Sequence, residues 1–190
     1  MKKQLSDDRY EVRLSGSGGQ GLVLAGVMLA EAIGVYEGKN VTQTQSYGPE
    51  ARGGSSRSDI VIASGEIFYP KTSRLDLLLC LTQDACDKYY QGLNENGVLI
   101  IDCDLVRQPP PVHRLHSLPF TNYAREKLGT AIVTNVVSTA ASVVISGICK
   151  PESFLKAVLS YVPKGTEQKN EQACQLGFDM GEKALKGEGQ

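Results

Sequence analysis

A run of glycines set between a β-prone segment and an apolar one constrains this chain more than any other feature. Residues 10–14 (Tyr-Glu-Val-Arg-Leu) read as a strand. Gly16-Ser17-Gly18-Gly19-Gln20-Gly21 follows, and residues 22–33 then form an apolar, helix-like segment. Glycines in such a turn let backbone N–H groups approach a ligand with no Cβ in the way. The helix behind the turn presents unpaired N–H groups and a partial positive charge to an anion. The segment therefore predicts a phosphate-bearing ligand, or a close backbone contact, at residues 16–21.

Gly16-x-Gly18-x-x-Gly21 has the spacing of a dinucleotide fingerprint in the expected strand–loop–helix setting. That fingerprint also asks for an acidic residue about 20 positions on, at the end of the second strand. Here that strand ends Val41-Thr42-Gln43-Thr44-Gln45, without an acid, which weakens an NAD reading. A tight turn packing helix on strand explains the glycines with no ligand at all. Gly19 and Gln20 add a fourth glycine and an amide beyond what packing requires, which favours ligand contact.

A second unusual stretch, Tyr47-Gly48-Pro49-Glu50-Ala51-Arg52-Gly53-Gly54, follows the second strand. That is the carboxyl-end edge at which open α/β sheets bind ligands. Arg52 could pair with a phosphate or carboxylate through two hydrogen bonds. The alternative is an ordinary loop in which Glu50 and Arg52 make a weak surface contact. Thr82-Gln83-Asp84 reads equally well as a helix cap and as a wall of the same crevice. Asn135, near the start of an apolar helix, suits a cap or a buried amide at least as well as a ligand contact. His113 and His116 have no acidic neighbour in sequence and read as surface or structural residues.

Strands and helices alternate along the chain. Further strands are expected at 40–45, 75–81, 98–101 and 113–118, and helices at 83–90, 121–128, 134–146, 151–159 and 168–185. Gly34 suits a helix end. Residues 46–56 read as irregular. Residues 58–63 and 67–69 flank Ser64-Gly65-Glu66 and predict a β-hairpin, and Asn96-Gly97 predicts a turn. Ala, Ser and Val over 134–146 predict a close-packing helix, and Pro109-Pro110-Pro111 a surface connection. Together these predict an α/β fold: a single domain, 1–190, with a mainly parallel, doubly wound sheet, helices on both faces and a β-hairpin. The ends, about 1–8 and 186–190, are expected to be flexible.

Composition narrows the function classes. Of 190 residues, 41% are hydrophobic and 22% charged, and the formal net charge is −1, so nothing in the balance points to nucleic acid or to an anionic membrane. The charged start, Met1-Lys2-Lys3-Gln4-Leu5-Ser6-Asp7-Asp8, does not read as a signal peptide, and no run is long enough for a membrane span. A cytoplasmic protein is expected. Cys80, Cys86, Cys103, Cys149 and Cys174 include no C-x-x-C pair, which argues against iron–sulfur or structural zinc ligation; free thiols are expected, with Cys80 and Cys149 as small buried hydrophobes. No metal site, Ser–His–Asp order or carboxylate pair stands out, so no catalytic residue is assigned.

The two glycine-rich loops together resemble the paired motifs of the gamma subunit of 2-oxoacid:ferredoxin (acceptor) oxidoreductases. The resemblance continues through residues 77–84 and 96–102, Leu118-Pro119-Phe120, Gly129, Asn135, Lys169-Asn170 and Gly177. It implies a subunit of an enzyme that decarboxylates a 2-oxoacid on thiamine diphosphate, makes an acyl-coenzyme A and passes electrons through iron–sulfur clusters to ferredoxin. Thiamine diphosphate and the clusters are then expected on partner subunits: alpha, beta and a ferredoxin-like delta subunit. Coenzyme A is the co-substrate this chain would contact, through Gly16, Ser17, Gly18, Gly19, Gln20, Gly21, Tyr47, Gly48, Pro49, Glu50, Arg52, Gly53, Gly54 and Asn135. The 2-oxoglutarate enzymes are the nearest in kind; pyruvate, 2-oxoisovalerate and indolepyruvate stay open. Two other classes also stay open, an independent Rossmann-like nucleotide-binding protein and a pure assembly scaffold. A chain without its partner subunits should expose an apolar face, compatible with a homodimer in isolation.

Overall fold

In the computed structural model the described residues, 9–47 and 55–187, build one six-stranded sheet between two unequal layers of helix. The strands are β1 (Tyr10–Ser17), β2 (Asn40–Tyr47), β3 (Ser55–Ala63), β4 (Leu75–Cys80), β5 (Leu93–Asp102) and β6 (Leu115–Leu118), in the spatial order β2-β3-β1-β4-β5-β6. β1, β4, β5 and β6 pair in parallel. β3 is antiparallel to both of its neighbours, β1 and β2. β2 therefore runs with β1, and β3 is the one reversed strand, inserted between the two halves of a β-helix-β unit. The mainly parallel sheet is as expected.

The helices are α1 (Leu22–Gly34), α2 (Gln83–Tyr89), α3 (Phe120–Leu128), α4 (Thr134–Ser146), α5 (Pro151–Tyr161) and α6 (Glu167–Leu185). Strand side chains alternate between faces. Val12, Leu14, Leu77, Leu79, Val98 and Ile100 join the main core with α1, α3, α4, α5 and α6. Leu78, Cys80, Leu99 and Ile101 face the other way, onto Ala85, Cys86 and Tyr89 of α2 and Val106. Burial on both faces explains why 75–80 and 98–101 read as continuous apolar runs.

α4 is buried along nearly its whole length, and its Ser138, Ser142 and Ser146 bond back to carbonyls of the same helix. Ser142 Oγ donates to the Ser138 carbonyl at 2.8 Å and Ser138 Oγ to the Asn135 carbonyl at 3.2 Å. Thr82 Oγ1 accepts from the Ala85 N–H at 3.3 Å and caps α2 as expected. Gln83 holds the 107–108 backbone, its Oε1 accepting from the N–H groups of Arg107 (3.0 Å) and Gln108 (2.9 Å), so this triplet is used for structure.

Several sequence expectations are corrected. Residues 67–69 form no strand; the segment after β3 crosses the second face, where Thr72 Oγ1 meets Arg13 and Asp59 and Glu11 accepts from the Ser73 and Arg74 N–H groups. The antiparallel pair is β2–β3 instead. Asn96-Gly97 is not a turn but part of β5, at the register shift where Leu75 pairs with Leu93 and Leu77 with Val98. A Cβ on Gly97 would lie 2.9 Å from the Leu75 carbonyl oxygen, so the glycine serves a close strand approach. Gly16 and Ser17, expected in the loop, end β1, and the irregular stretch is shorter than 46–56, since β2 runs to Tyr47 and β3 starts at Ser55.

Candidate functional site

The two windings of the sheet part between β1 and β4. The chain leaves β1 for α1 on the main face and leaves β4 for α2 on the other. Such a switch point opens a crevice at the carboxyl ends of the strands, and the glycine turn sits there. Gln20 folds its side chain back, and its Oε1 accepts from the Ser17 N–H at 2.7 Å while the Gln20 N–H donates to the Ser17 carbonyl at 3.3 Å. The Gln20 amide that looked surplus to packing is thus what closes the turn. A Cβ on Gly16 would collide with that Oε1.

Gly19 and Gly21 take φ of +90° and +71°, the left-handed region that favours glycine. Around Gly19 there is open space for a side chain, whereas a Cβ on Gly21 would lie 2.6 Å from Asn135 Nδ2. Asn135 Nδ2 donates to the Gly21 carbonyl at 3.1 Å, tying the start of α4 to the start of α1. Two expected site residues therefore meet, and Asn135 acts as a buried amide. Among the described residues no acceptor takes the Gly19 or Gly21 N–H. These N–H groups and the first turn of α1 make up what the turn can offer an anion. Tyr47 ends β2; Gly48, Pro49, Glu50, Ala51, Arg52, Gly53 and Gly54 lie outside the described residues.

A cavity of about 380 Å³ opens beside the turn, lined by Gly19, Gln20, Thr121, Arg125, Ile132 and Thr134 among others. Arg125 is exposed and Thr121 and Thr134 are buried. None of these three was singled out in the sequence. Arg125 there is one charge among several on a polar helix, and only the strand order brings α3 to the glycine turn. A second, more apolar cavity of about 370 Å³ lies between α1, α4 and α6, with Leu24, Met28, Val136, Val162, Lys169 and Asn170 on its walls. Lys169-Asn170 carried part of the family resemblance.

Asp102, at the end of β5, anchors the rim. It is fully buried, and it accepts from the Thr121 N–H (3.2 Å) and Thr121 Oγ1 through Oδ2 and from the Asp104 N–H through Oδ1 (3.1 Å). Asp104 accepts from the Asn122 N–H at 2.7 Å. The two carboxylates thus cap α3, Asp102 from the end of β5 and Asp104 from the turn after it, in place of Pro119, which offers no side-chain cap. Burial pushes the Asp102 carboxyl up to about 6, against the lowering effect of the Thr121 and Asp104 hydrogen bonds. Because the folded pKa exceeds the unfolded one, Asp102 adds stability below about pH 4 that is lost as the pH rises through 6. Asp102→Asn is expected to remove that loss: relative to the native chain its urea midpoint should rise between pH 4 and pH 7.

Among the described residues no group of three or more His, Cys, Asp or Glu side chains is placed to hold a metal ion. Cys80, Cys86, Cys149 and Cys174 are buried and Cys103 is half-buried, and burial pushes the Cys149 and Cys174 thiols up to about 12. With Cys149 and Cys174 in the main core and Cys80 and Cys86 in the one on the opposite face of the sheet, these thiols do not fit an iron–sulfur ligand set. No helix among the described residues is long and apolar enough to cross a membrane.

A mixed sheet with a glycine turn at its switch point is the frame in which the comparisons with known proteins fall. The sequence model of the pyruvate ferredoxin/flavodoxin oxidoreductase family matches residues 11–180, and the chain belongs to that family. It is 45% identical to the 2-oxoglutarate synthase subunit KorC of Methanocaldococcus jannaschii over 183 residues, 95% of this chain and 98% of that one. The gamma subunit of a keto/oxoacid ferredoxin oxidoreductase from Geobacter sulfurreducens superposes with a TM-score of 0.84 at 46% identity, over 94% of this chain and 97% of that one. A 2-oxoglutarate:ferredoxin oxidoreductase from Magnetococcus marinus, solved with 2-oxoglutarate, coenzyme A and succinyl-CoA, has a TM-score of 0.77 at 14% identity; it covers 96% of this chain and 31% of its own, a likeness of fold alone.

Proposed function

We propose that this chain is the gamma subunit of a heteromeric 2-oxoglutarate:ferredoxin oxidoreductase of the cytoplasm. The reaction converts 2-oxoglutarate, coenzyme A and two oxidised ferredoxins to succinyl-CoA, carbon dioxide, a proton and two reduced ferredoxins. The observation that carries this reading is the end-to-end correspondence with KorC, against 27% identity to a pyruvate synthase subunit PorC from Methanothermobacter thermautotrophicus. Thiamine diphosphate and iron–sulfur clusters belong, on this reading, to alpha, beta and ferredoxin-like delta subunits, in keeping with the buried thiols here. Exposed Leu24 and Ile132 beside the apolar cavity suit a surface that other subunits cover.

Coenzyme A is the ligand proposed for the crevice. The free N–H groups of Gly19 and Gly21 and the Arg125 guanidinium suit its phosphates. A second reading is favoured by the inward bonds of Gln20 and Asn135: the turn is a rigid joint against which a partner subunit's backbone rests. Reconstitution tests the main reading. The purified chain alone should give no 2-oxoacid-dependent reduction of a viologen dye, and adding the partner subunits should give reduction with 2-oxoglutarate preferred over pyruvate by at least about tenfold. Activity of the chain alone, or equal rates with both acids, would refute it.

A further inference from the structure

On the second face of the sheet three cations converge on one aromatic ring. The guanidinium carbons of Arg13 (β1) and Arg57 (β3) stand 4.7 and 5.5 Å from the centre of the Tyr89 ring, and Lys88 Nζ (α2) stands 5.4 Å from it. Among the described residues one carboxylate, Asp59, pairs with the two arginines. Arg13 grips it with two bonds, Nε to Oδ1 at 2.6 Å and Nη2 to Oδ2 at 2.9 Å, and Thr72 Oγ1 donates to Oδ2 at 3.2 Å. Arg57 Nε reaches the same Oδ2 only at 3.6 Å; it is buried and has no hydrogen-bond partner among the described residues. Lys88 Nζ makes one long bond, to Ser55 Oγ at 3.4 Å. Glu11, further down β1, is taken by Arg9, Ser73 and Arg74, and Asp87 accepts from Gln83.

Among the described residues three cations against one carboxylate leave two positive charges uncompensated around a ring that is itself buried. Arg57 is half-buried with its Nε buried and unsatisfied, which calls for an anion, and the exposed Lys88 ammonium stands beside it. The Arg57 fork, the Lys88 ammonium and the Ser55 hydroxyl all lie at one end of β3, while Arg13 and Asp59 form the fixed floor. Ser55 pairs with Ser17 in the sheet, so this cluster begins beside the glycine turn, at the same end of the sheet.

We propose that Arg57, Lys88 and Ser55 form a phosphate-group site, separate from the glycine turn. A phosphate dianion matches the two uncompensated charges, and its oxygens match the planar fork of Arg57 better than a monoanionic carboxylate does. The phosphate can come free from solution or from an esterified ligand. If the ester is coenzyme A, this rests on the function proposed above and gives that ligand a second anchor.

Binding measured on the full chain separates these cases. Inorganic phosphate, against chloride at equal ionic strength, should shift the Arg57 Nε–H and Ser55 amide resonances. Lys88→Ala should weaken that binding about tenfold, and Lys88→Arg should restore most of it. Coenzyme A and 3′-dephospho-coenzyme A distinguish the sources. An esterified ligand anchored here binds about tenfold tighter with the 3′-phosphate than without it, and Lys88→Ala erases the gap. Free phosphate as the ligand leaves no gap while the phosphate shifts remain. The proposal is overturned if neither phosphate nor coenzyme A moves these resonances, or if Lys88→Ala binds as the native chain does. Assembly of Lys88→Ala with the partner subunits is read in parallel. A loss of assembly without a loss of phosphate binding assigns Lys88 to a protein interface instead, and overturns the proposal. Reconstituted activity tests the proposed function independently of either result.

Discussion

Gly177→Val is expected to abolish the folded state or to lower its stability by about 3 kcal/mol or more, a large share of the roughly 5–15 kcal/mol that holds a domain together. A Cβ at this position would collide with the Val137 carbonyl oxygen and lie 2.6 Å from the Ala140 Cβ. Gly181, one turn on, faces Ala141 and Val144 in the same way. α4 and α6 therefore touch backbone to backbone. Neither can retreat: α4 is buried between the sheet and α6, and α6 buries Ala173, Cys174 and Phe178 beside it. Urea unfolding checks the prediction, and Gly177→Ala should fall between the native chain and the valine variant. A valine variant with native stability would show that the two helices do not pack this closely.

Asp59→Asn carries the second large effect, about 3 kcal/mol of destabilisation. The change leaves Arg13, whose side chain is 12% exposed, without its charged partner, and it leaves Arg57 beside Arg13 with no countercharge. Because cations outnumber carboxylates here, the loss should be asymmetric. Arg13→Gln removes one of the excess charges and frees Asp59 to pair with Arg57, so it should cost less than Asp59→Asn. Comparing urea midpoints of the two variants decides the point. Equal costs would mean that the cluster behaves as an isolated Arg13–Asp59 pair.

Local pattern made part of this architecture legible. The apolar run 75–80 is a strand because side chains on both faces are buried, and the small residues of 134–146 mark a helix that others approach closely. The glycine turn was legible for the same reason: its φ values are a local requirement that the residue type meets. What misled was local chemistry overridden by tertiary pairing. Ser64-Gly65-Glu66 has hairpin residues, but β3 finds its antiparallel partner in β2, across residues 48–54. Asn96-Gly97 has turn residues, but Gly97 admits the Leu75 carbonyl at a register shift between strands.

The site divides along the same line. Asn135 was visible as a polar residue opening an apolar helix, while its bond to the Gly21 carbonyl spans 114 positions of sequence. Arg125 and Thr121 reach the glycine turn only through the strand order. The second-face cluster draws on residues 13, 57, 59, 88 and 89, and no spacing rule links those positions.

The central claim, that the glycine turn holds the anionic end of coenzyme A in a subunit that does no chemistry itself, meets its most direct test at Gly19. A side chain there enters open space, and asparagine tolerates the left-handed backbone better than other side chains do, so Gly19→Asn should fold and assemble. In the reconstituted complex the account predicts a KM for coenzyme A raised about tenfold with kcat nearly unchanged, because binding is lost and chemistry is not. An unchanged KM, or a variant that no longer joins its partner subunits, would contradict the account and make the turn a structural joint.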